Sequence, residues 1–365
     1  MRKVFVALVC VLFTCPVLAQ RPTLDETSRA NQGTVGVITG MEGGTYARTA
    51  ADLTILDSEN LRVLPTLGKG SLQNLSDILY LRGIDIGFVQ ADALTYARQH
   101  NLFPGLAQNI RYIAKLYDEE VHVLARQDIN RIEDLNSQRV NIDVSGSGSA
   151  MTADILLAAL GVKAHLENAK QIDGLQELKR GEIAAIIHVG GAPVPLLADV
   201  PADSGIHFLP VALNQELAQT YLPAEFTHDV YPLLVPAGTS VPTIAIGDVM
   251  AVFAWQPSVD RYTRVNRFVD AFFSRFDEFL KPPRHPKWLE VNLTAEVPGW
   301  IRFQPAQDWL MHRLAAGTAG SATQGQFNSF LSETHAATNV QLTEAAKESL
   351  FREFLQWNKQ HPATR

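Results

Sequence analysis

From about Thr34 onward, the apolar positions alternate between strand-like runs and stretches with helical spacing. Val35–Thr39, a run around Val63, and Ile84–Val89 read as strands. Each precedes a helix-like stretch: Tyr46–Leu56, Leu72–Leu81 and Ala91–His100. Ile110–Ala125 is one long extended segment. The pattern then restarts with a strand at Val140–Val144, a helix at Ala150–Leu160 ended by Gly161, and a short helix at Leu175–Arg180. A strand at Ile183–Val189, a short helix at Pro195–Asp199 and a strand at Ile206–Val211 follow. Thr243–Trp255 supplies a further strand. Tyr262–Leu280 predicts a helix that spaces Phe268, Phe272, Phe276 and Phe279 along one face, and Val340–Trp357 a second amphipathic helix. Lys281–Arg284 and Gly317–Gly325 read as loops.

Strands alternating with helices predict a mainly parallel sheet covered on both faces. The restart after Ile129 predicts two α/β lobes, the second inserted in the first: 33–120 and 230–365 form lobe 1, and 121–229 form lobe 2. The crossings between lobes are expected at Tyr117–Val121 and within Val211–Tyr231. Such a molecule is a hinged clamp, and a ligand held between the lobes favours the closed form because only that form touches it from both sides.

Three strand ends carry small hydroxyl and glycine residues just before a helix: Gly43-Gly44-Thr45-Tyr46, Gly68-Lys69-Gly70-Ser71 and Ser145-Gly146-Ser147-Gly148-Ser149. A helix start offers unpaired N–H groups and a partial positive charge, and hydroxyl caps add donors. Glycine lets a ligand approach the backbone. Several such starts around one cleft form a socket for a small anion.

The N-terminus changes where this happens. Met1-Arg2-Lys3, the apolar Val4–Phe13 and the small-x-small Val17-Leu18-Ala19 form a secretory signal peptide, 1–19, which places the mature chain in the periplasm. Both cysteines, Cys10 and Cys15, lie in that segment, so the chain from Gln20 has no disulfide and no thiol chemistry. Losing Arg2 and Lys3 takes the formal charge from -7 to -9. With no basic stripe, nucleic acid is a poor partner. No later apolar run reaches the length of a membrane span, so direct membrane insertion is not expected.

Candidate ligand contacts follow from the socket. Gly44, Thr45 and Tyr46 offer donors, with Tyr46 also placed to stack over a ligand. Ser145, Ser147 and Ser149 are the donors expected from lobe 2. Gln90 ends a buried strand, where an uncharged amide suits recognition of an oxygen or an ammonium, and Asp92 reads as the cap of the next helix. Ser71 and Asn74 have cap spacing, which explains them as well as ligand contact does. Two readings are open for Lys69 (a cleft cation or a solvated rim charge), for His188 (a cleft contact or a buried hydrogen-bonded ring) and for Tyr117 (lining the site or packing the hinge). Catalytic motifs are missing: position 148 is Gly where a G-x-S-x-G nucleophile would sit, Gly68–Ser71 lacks the upstream glycine of a P-loop, and no H-E-x-x-H occurs. The residues call for no cofactor and no metal.

These segments, in this order, resemble the solute-binding receptors of TRAP transporters, TAXI family. Gly43–Tyr46 is similar to that family's Gly-Gly-Thr/Val-Tyr turn, Gly68–Leu75 to its Gly-Gly-Ser-x-x-Asn-Leu, and Gly146–Ser149 to its Gly-Ser-Gly-Thr turn. Asp85–Asp92 is similar to Asp-Leu-Ala-Phe-Val-Gln-Ala-Asp, and Tyr117–His122 to Tyr-x-Glu-x-Val-His. The resemblance covers roughly Thr34–Trp255. It implies a two-lobed type II periplasmic-binding-protein fold and a receptor that hands a glutamate-like amino acid, dicarboxylate or keto acid to a TRAP-type permease. A sensor of the same fold docking on a sensor kinase is the alternative. The chain departs from the family at Lys69, at Ser149 and Ala150 (Thr-Glu in the family) and around Pro236–Thr239. These positions adjoin the socket, so the family's ligand does not carry over.

Overall fold

A computed structural model describes residues 23–315. The signal segment 1–19, the Gly317–Gly325 loop and the Val340–Trp357 helix expected from the sequence lie outside the described residues. The strands are β1 Thr34–Ile38, β2 Arg62–Thr66, β3 Ile86–Gln90, β4 Ile110–Arg126 and β5 Arg139–Asn141. After these come β6 His165–Glu167, β7 Ala185–Gly190, β8 Ile206–Phe208, β9 Leu222–Thr227 and β10 Ser240–Phe253. The helices are α1 Leu24–Ala30, α2 Thr45–Asp52, α3 Ser71–Tyr80, α4 Ala93–Gln99 and α5 Leu106–Asn109. They continue with α6 Gly148–Ala159, α7 Gln171–Lys179, α8 Pro195–Ala198, α9 Asp260–Ser274 and α10 Gln304–Ala315.

One continuous sheet runs β2-β1-β3-β10-β4-β7-β5-β6, with β9 on β10 and β8 on β4. β1, β2 and β3 are parallel, and so are β5, β6 and β7. β4 and β10 run antiparallel between the two sets and belong to both. The first part of β4 pairs with the end of β10, Ile110 opposite Phe253. Its second part pairs with β7 and β8, while the first part of β10 pairs with β9. The parallel sets are the sheets of two α/β lobes, and β4 and β10 are the two strands that join them, a mixed α/β arrangement of the two-lobed type II kind.

The crossings lie at Asp118–Glu120 on β4 and Ala245–Gly247 on β10, whose residues are register partners. The register shifts between Gly247 and Val249, an irregularity that bends the ladder where the lobes part. The second crossing therefore differs from the expectation of Val211–Tyr231. Val211 and Tyr221 are buried in the second lobe with Val121 and Ile244, and Tyr231 packs there on Leu124 and Phe208. That segment is broken by turns, and only the long apolar run of β10 can pair β4 through both lobes.

Each lobe has its own core. Val37, Phe88, Tyr117, Phe268 and Trp288 anchor the first; Val123, Val140, Leu156 and Ile187 anchor the second. α9 ends at Ser274, short of the expected Leu280. A 3₁₀ turn over Phe276–Glu278 carries the aromatic stripe onward, so Phe279 is still buried, 4.7 Å from the Trp288 ring. Among the described residues no helix is long and apolar enough to cross a membrane.

Candidate functional site

Two of the three sequence-marked helix starts face each other across the lobe boundary. α3 of lobe 1 begins after Gly70, whose φ of 106° is a left-handed conformation that favours glycine. α6 of lobe 2 begins after Ser147, whose hydroxyl accepts from Ala150 N at 3.1 Å. The starts touch: Gln73 N donates to Gly146 O at 3.1 Å, and a Cβ at Gly70 would stand 3.4 Å from Gly148 N. A Cβ at Gly148 would overlap Gln90 Oε1 and come within 2.8 Å of Ser71 Oγ. Glycine is thus required for the lobes to close here.

The third start joins them through β7. Ser149 Oγ accepts from Val189 N at 3.0 Å, which ties α6 to the end of that strand. The loop after β7 then reaches lobe 1, where a Cβ at Gly191 would lie 3.3 Å from Thr45 Cγ2 and 2.9 Å from Lys287 Cε. No side chain caps α2 or α3, so their leading N–H groups are free of the usual hydroxyl partner.

Beneath this junction Ser71 and Gln90 are clamped together. Ser71 Oγ accepts from Gln90 N and donates to Gln90 Oε1, both at 3.0 Å, and Gln90 Nε2 is buried without a partner. Asn74 donates to Phe88 O at 2.7 Å while its Oδ1 is unpaired. Gly44 and Ser145 are exposed, and Thr45 is half-buried. Lys69 is exposed, with no ion pair among the described residues.

Two candidates, Tyr117 and Tyr46, are not free to line the cleft. Tyr117 is fully buried in the lobe 1 core, its hydroxyl 3.2 Å from Thr49 Oγ. Tyr46 packs on Phe88 and donates to Asp248 Oδ1 at 2.6 Å, so its ring does not stand over a ligand. His188 is half-buried opposite His122, with ring centroids 6.0 Å apart. Burial pulls its imidazole down to about 4, so it is neutral and offers no cation near neutral pH. Asp92 occupies the N-cap position of α4 but makes no side-chain cap bond; its partners lie in the other lobe. The cap reading fails because those partners come from residues far along the chain.

Sequence reasoning missed a group of buried charges at the hinge. Lys287 Nζ, 4% exposed, binds Glu120 Oε1 at 3.0 Å and Glu290 Oε2 at 2.9 Å. Glu120 Oε2 also accepts from Ala192 N at 2.7 Å, so this carboxylate holds Lys287 of lobe 1 and the β7–α8 loop of lobe 2 together. Burial alone would lower the Lys287 pKa; the two carboxylates outweigh it and raise the value. Nearby, burial and mutual repulsion push Glu119 and Asp248 well above the ordinary carboxyl range, because two such groups in a dry site cannot both ionise. Burial and the Asp248 charge likewise raise the Tyr46 hydroxyl. One signal was available: Asp248 is a lone carboxylate inside the apolar run Ile244–Phe253.

A cavity of about 540 Å³ lies elsewhere, between α9 and α10, lined by residues such as Tyr262, Asp270, Asp308 and Trp309, and shares no residue with the cleft. Among the described residues no cluster of three or more His, Cys, Asp or Glu side chains has the arrangement to hold a metal ion.

In overall shape the chain is similar to the periplasmic binding protein BugD, at 14% identity and a TM-score of 0.44, covering 78% of this chain and 97% of that one. It is also similar to a TctC solute-binding protein from Polaromonas, at 14% identity and 0.37, covering 67% and 88%. A third likeness is to an ancestral arginine-binding protein bound to arginine, at 14% identity and 0.39, covering 68% and 96%. The matches are partial, and the two lobes are evident from this chain's own strand order. Residues 37–280, more than half of the sequence, match the NMT1-like family, and the chain belongs to that family.

Proposed function

We propose that this protein is a periplasmic solute-binding receptor that closes its two lobes on a small organic anion and delivers it to a TRAP-type permease. One observation carries the reading: glycine-fronted helix starts from opposite lobes, α3 and α6, meet directly above the clamped Ser71–Gln90 pair. Helix starts attract negative charge, and two that converge only on closure make the closed form the tighter binder. The unpaired Gln90 Nε2 is a ready donor for an oxygen of the anion. The solute-binding proteins among the structural neighbours and the family membership agree with a receptor. The TRAP permease as recipient rests on the sequence resemblance, and export rests on the signal segment.

Thermal unfolding of the chain from Gln20 against amino acids, dicarboxylates, keto acids and monocarboxylates tests this. A ligand present at a hundred times its Kd adds about 2.7 kcal/mol, which raises Tm by a few degrees in a domain of this size. A shift confined to one class of carboxylate supports the receptor and names its substrate class. Shifts with none of the panel, for folded and ligand-free protein, would contradict it.

A further inference from the structure

Both side chains that donate to the Asp92 carboxyl come from the opposite lobe. Asp92 follows β3 in lobe 1 and is 3% exposed. Tyr221 in lobe 2 donates its hydroxyl to Asp92 Oδ2 at 2.8 Å, and Thr152 of α6 does so at 3.4 Å, while Oδ1 has no partner. Apolar packing completes the seal, since Met151 of α6 is buried with Leu75, Val89 and Leu94 of lobe 1. The other buried carboxyls differ. Glu119 and Asp248 lie on the joining strands, and Asp143 is bonded within lobe 2. Of these four carboxyls, Asp92 is the one whose side-chain donors come from the partner lobe.

We propose that Asp92 is a proton-operated latch between the lobes: the carboxylic acid sits comfortably in the closed interface, and the carboxylate loosens it. The proposal rests on the hinged-clamp reading above but not on the identity of the anion. The groups facing Asp92 are Tyr221 from the segment before β9, Thr152 from α6, and Asp248 from β10. Tyr96 and His100 of its own α4 stand nearby, with Tyr96 donating to Asp154 at 3.3 Å and its ring stacked on His100. None of the described residues brings a cation within ion-pair distance of Asp92. The two hydroxyl donors favour the ionised form, but burial outweighs them and pushes the closed-state pKa up to about 6. Opening returns the group to water, where an aspartate titrates near 4.

The sign follows directly. Because the closed state has the higher pKa, closure takes up a proton, and the closed-to-open ratio rises about fivefold for each pH unit from about 6 down to about 4. Above about pH 7 both states are ionised and Asp92 contributes almost no slope. An anion captured at acid pH therefore arrives with a proton, and its affinity falls as the pH rises through that window.

The chain from Gln20 has no cysteine, so spin labels on Glu59→Cys in lobe 1 and Lys163→Cys in lobe 2, both exposed positions, report the lobe separation in ligand-free protein. Titrating from pH 7 to 4.5, wild type should gain about 12-fold in closed-to-open ratio from Asp92 between pH 6 and 4.5. Asp92→Asn should lose that increment, leaving only what other groups such as His188 impose. Tyr221→Phe removes a donor that favours the carboxylate, so its rise should begin at a higher pH than in wild type. The same slope in wild type and Asp92→Asn would overturn the latch, as would a Tyr221→Phe curve shifted to lower pH. Anion binding is measured separately at fixed pH, so a receptor that closes on its anion without the Asp92 slope would sink the latch alone.

Discussion

The α3–α6 junction and the β4–β10 hinge lie on the same cleft and are built from opposite materials. At the junction, Gly70, Gly148, Ser71 and Gln90 are small or neutral, and their polar atoms are held by one another or left free to donate. At the hinge, the buried Lys287 is paired with the half-buried Glu120 and Glu290, while burial and repulsion raise the pKa values of the fully buried Glu119 and Asp248. The junction can exchange its lobe-to-lobe contacts for a ligand at little cost, because few of its partners would be stranded. The hinge cannot, since removing one member leaves a buried charge unpaired. Under the proposed function, recognition belongs to the first region, and the integrity of the clamp belongs to the second.

Mutations separate the two. Lys287→Ala, which strands Glu120 and Glu290, should cost about 3–5 kcal/mol of stability in chemical denaturation; a loss under 1 kcal/mol would show that the hinge charges are not a unit. Gly148→Leu should reduce anion affinity by at least about a hundredfold, or about 2.7 kcal/mol, while the ligand-free Tm stays within a few degrees of wild type. The side chain would occupy the space of Gln90 Oε1 and hold the lobes apart. An unchanged affinity would remove α6 from the site.

The pH dependence of folding should differ in sign between the hinge carboxyls and His188 on β7. Glu119 and Asp248 have folded-state pKa values above their unfolded ones, so the stability they contribute is present at acid pH and lost as the pH rises through the folded-state value. Asp248→Asn should flatten that loss, read from denaturation at pH 5 and pH 8. His188 is depressed to about 4, so its contribution is present above pH 6.5 and lost as the pH falls. His188→Gln should spare the protein about 1–2 kcal/mol of acid destabilisation by pH 5. Lys69→Ala is the mildest change. With its side chain exposed, stability should move by less than about 0.5 kcal/mol, and the anion affinity then decides between a cleft cation and a solvated charge.

How much was legible in the sequence follows the same division. Strand ends rich in glycine and serine announce helix starts through local rules, and Gly44–Thr45, Gly70–Ser71 and Ser147–Gly148 all begin helices in the structure. The long extended run Ile110–Ala125 is β4 almost residue for residue. What local rules cannot supply is the neighbour across the sheet. Ser71 has the spacing of a cap, yet it clamps Gln90 because α3 lies on β3. Asp92 looks like a cap and bonds Tyr221, 129 positions away. Tyr46 reads as a cleft aromatic, but its hydroxyl turns to Asp248; Tyr117, open between lining the site and packing the hinge, is buried with its hydroxyl on Thr49 inside lobe 1. Lys287, between Pro286 and Trp288 in a short turn, carries no motif, and its meaning depends on Glu120, 167 positions earlier. The second crossing was misplaced for the same reason: which strand pairs with β4 is a long-range fact.

The central claim is that an anion draws the lobes together. Small-angle X-ray scattering of the chain from Gln20, with and without the carboxylate that gives the largest thermal shift, measures this directly. The radius of gyration should fall on saturation in wild type and stay unchanged in Gly148→Leu at the same concentration. An anion that binds wild type tightly and leaves its radius of gyration unaltered would contradict closure, and with it the role assigned to the α3–α6 junction.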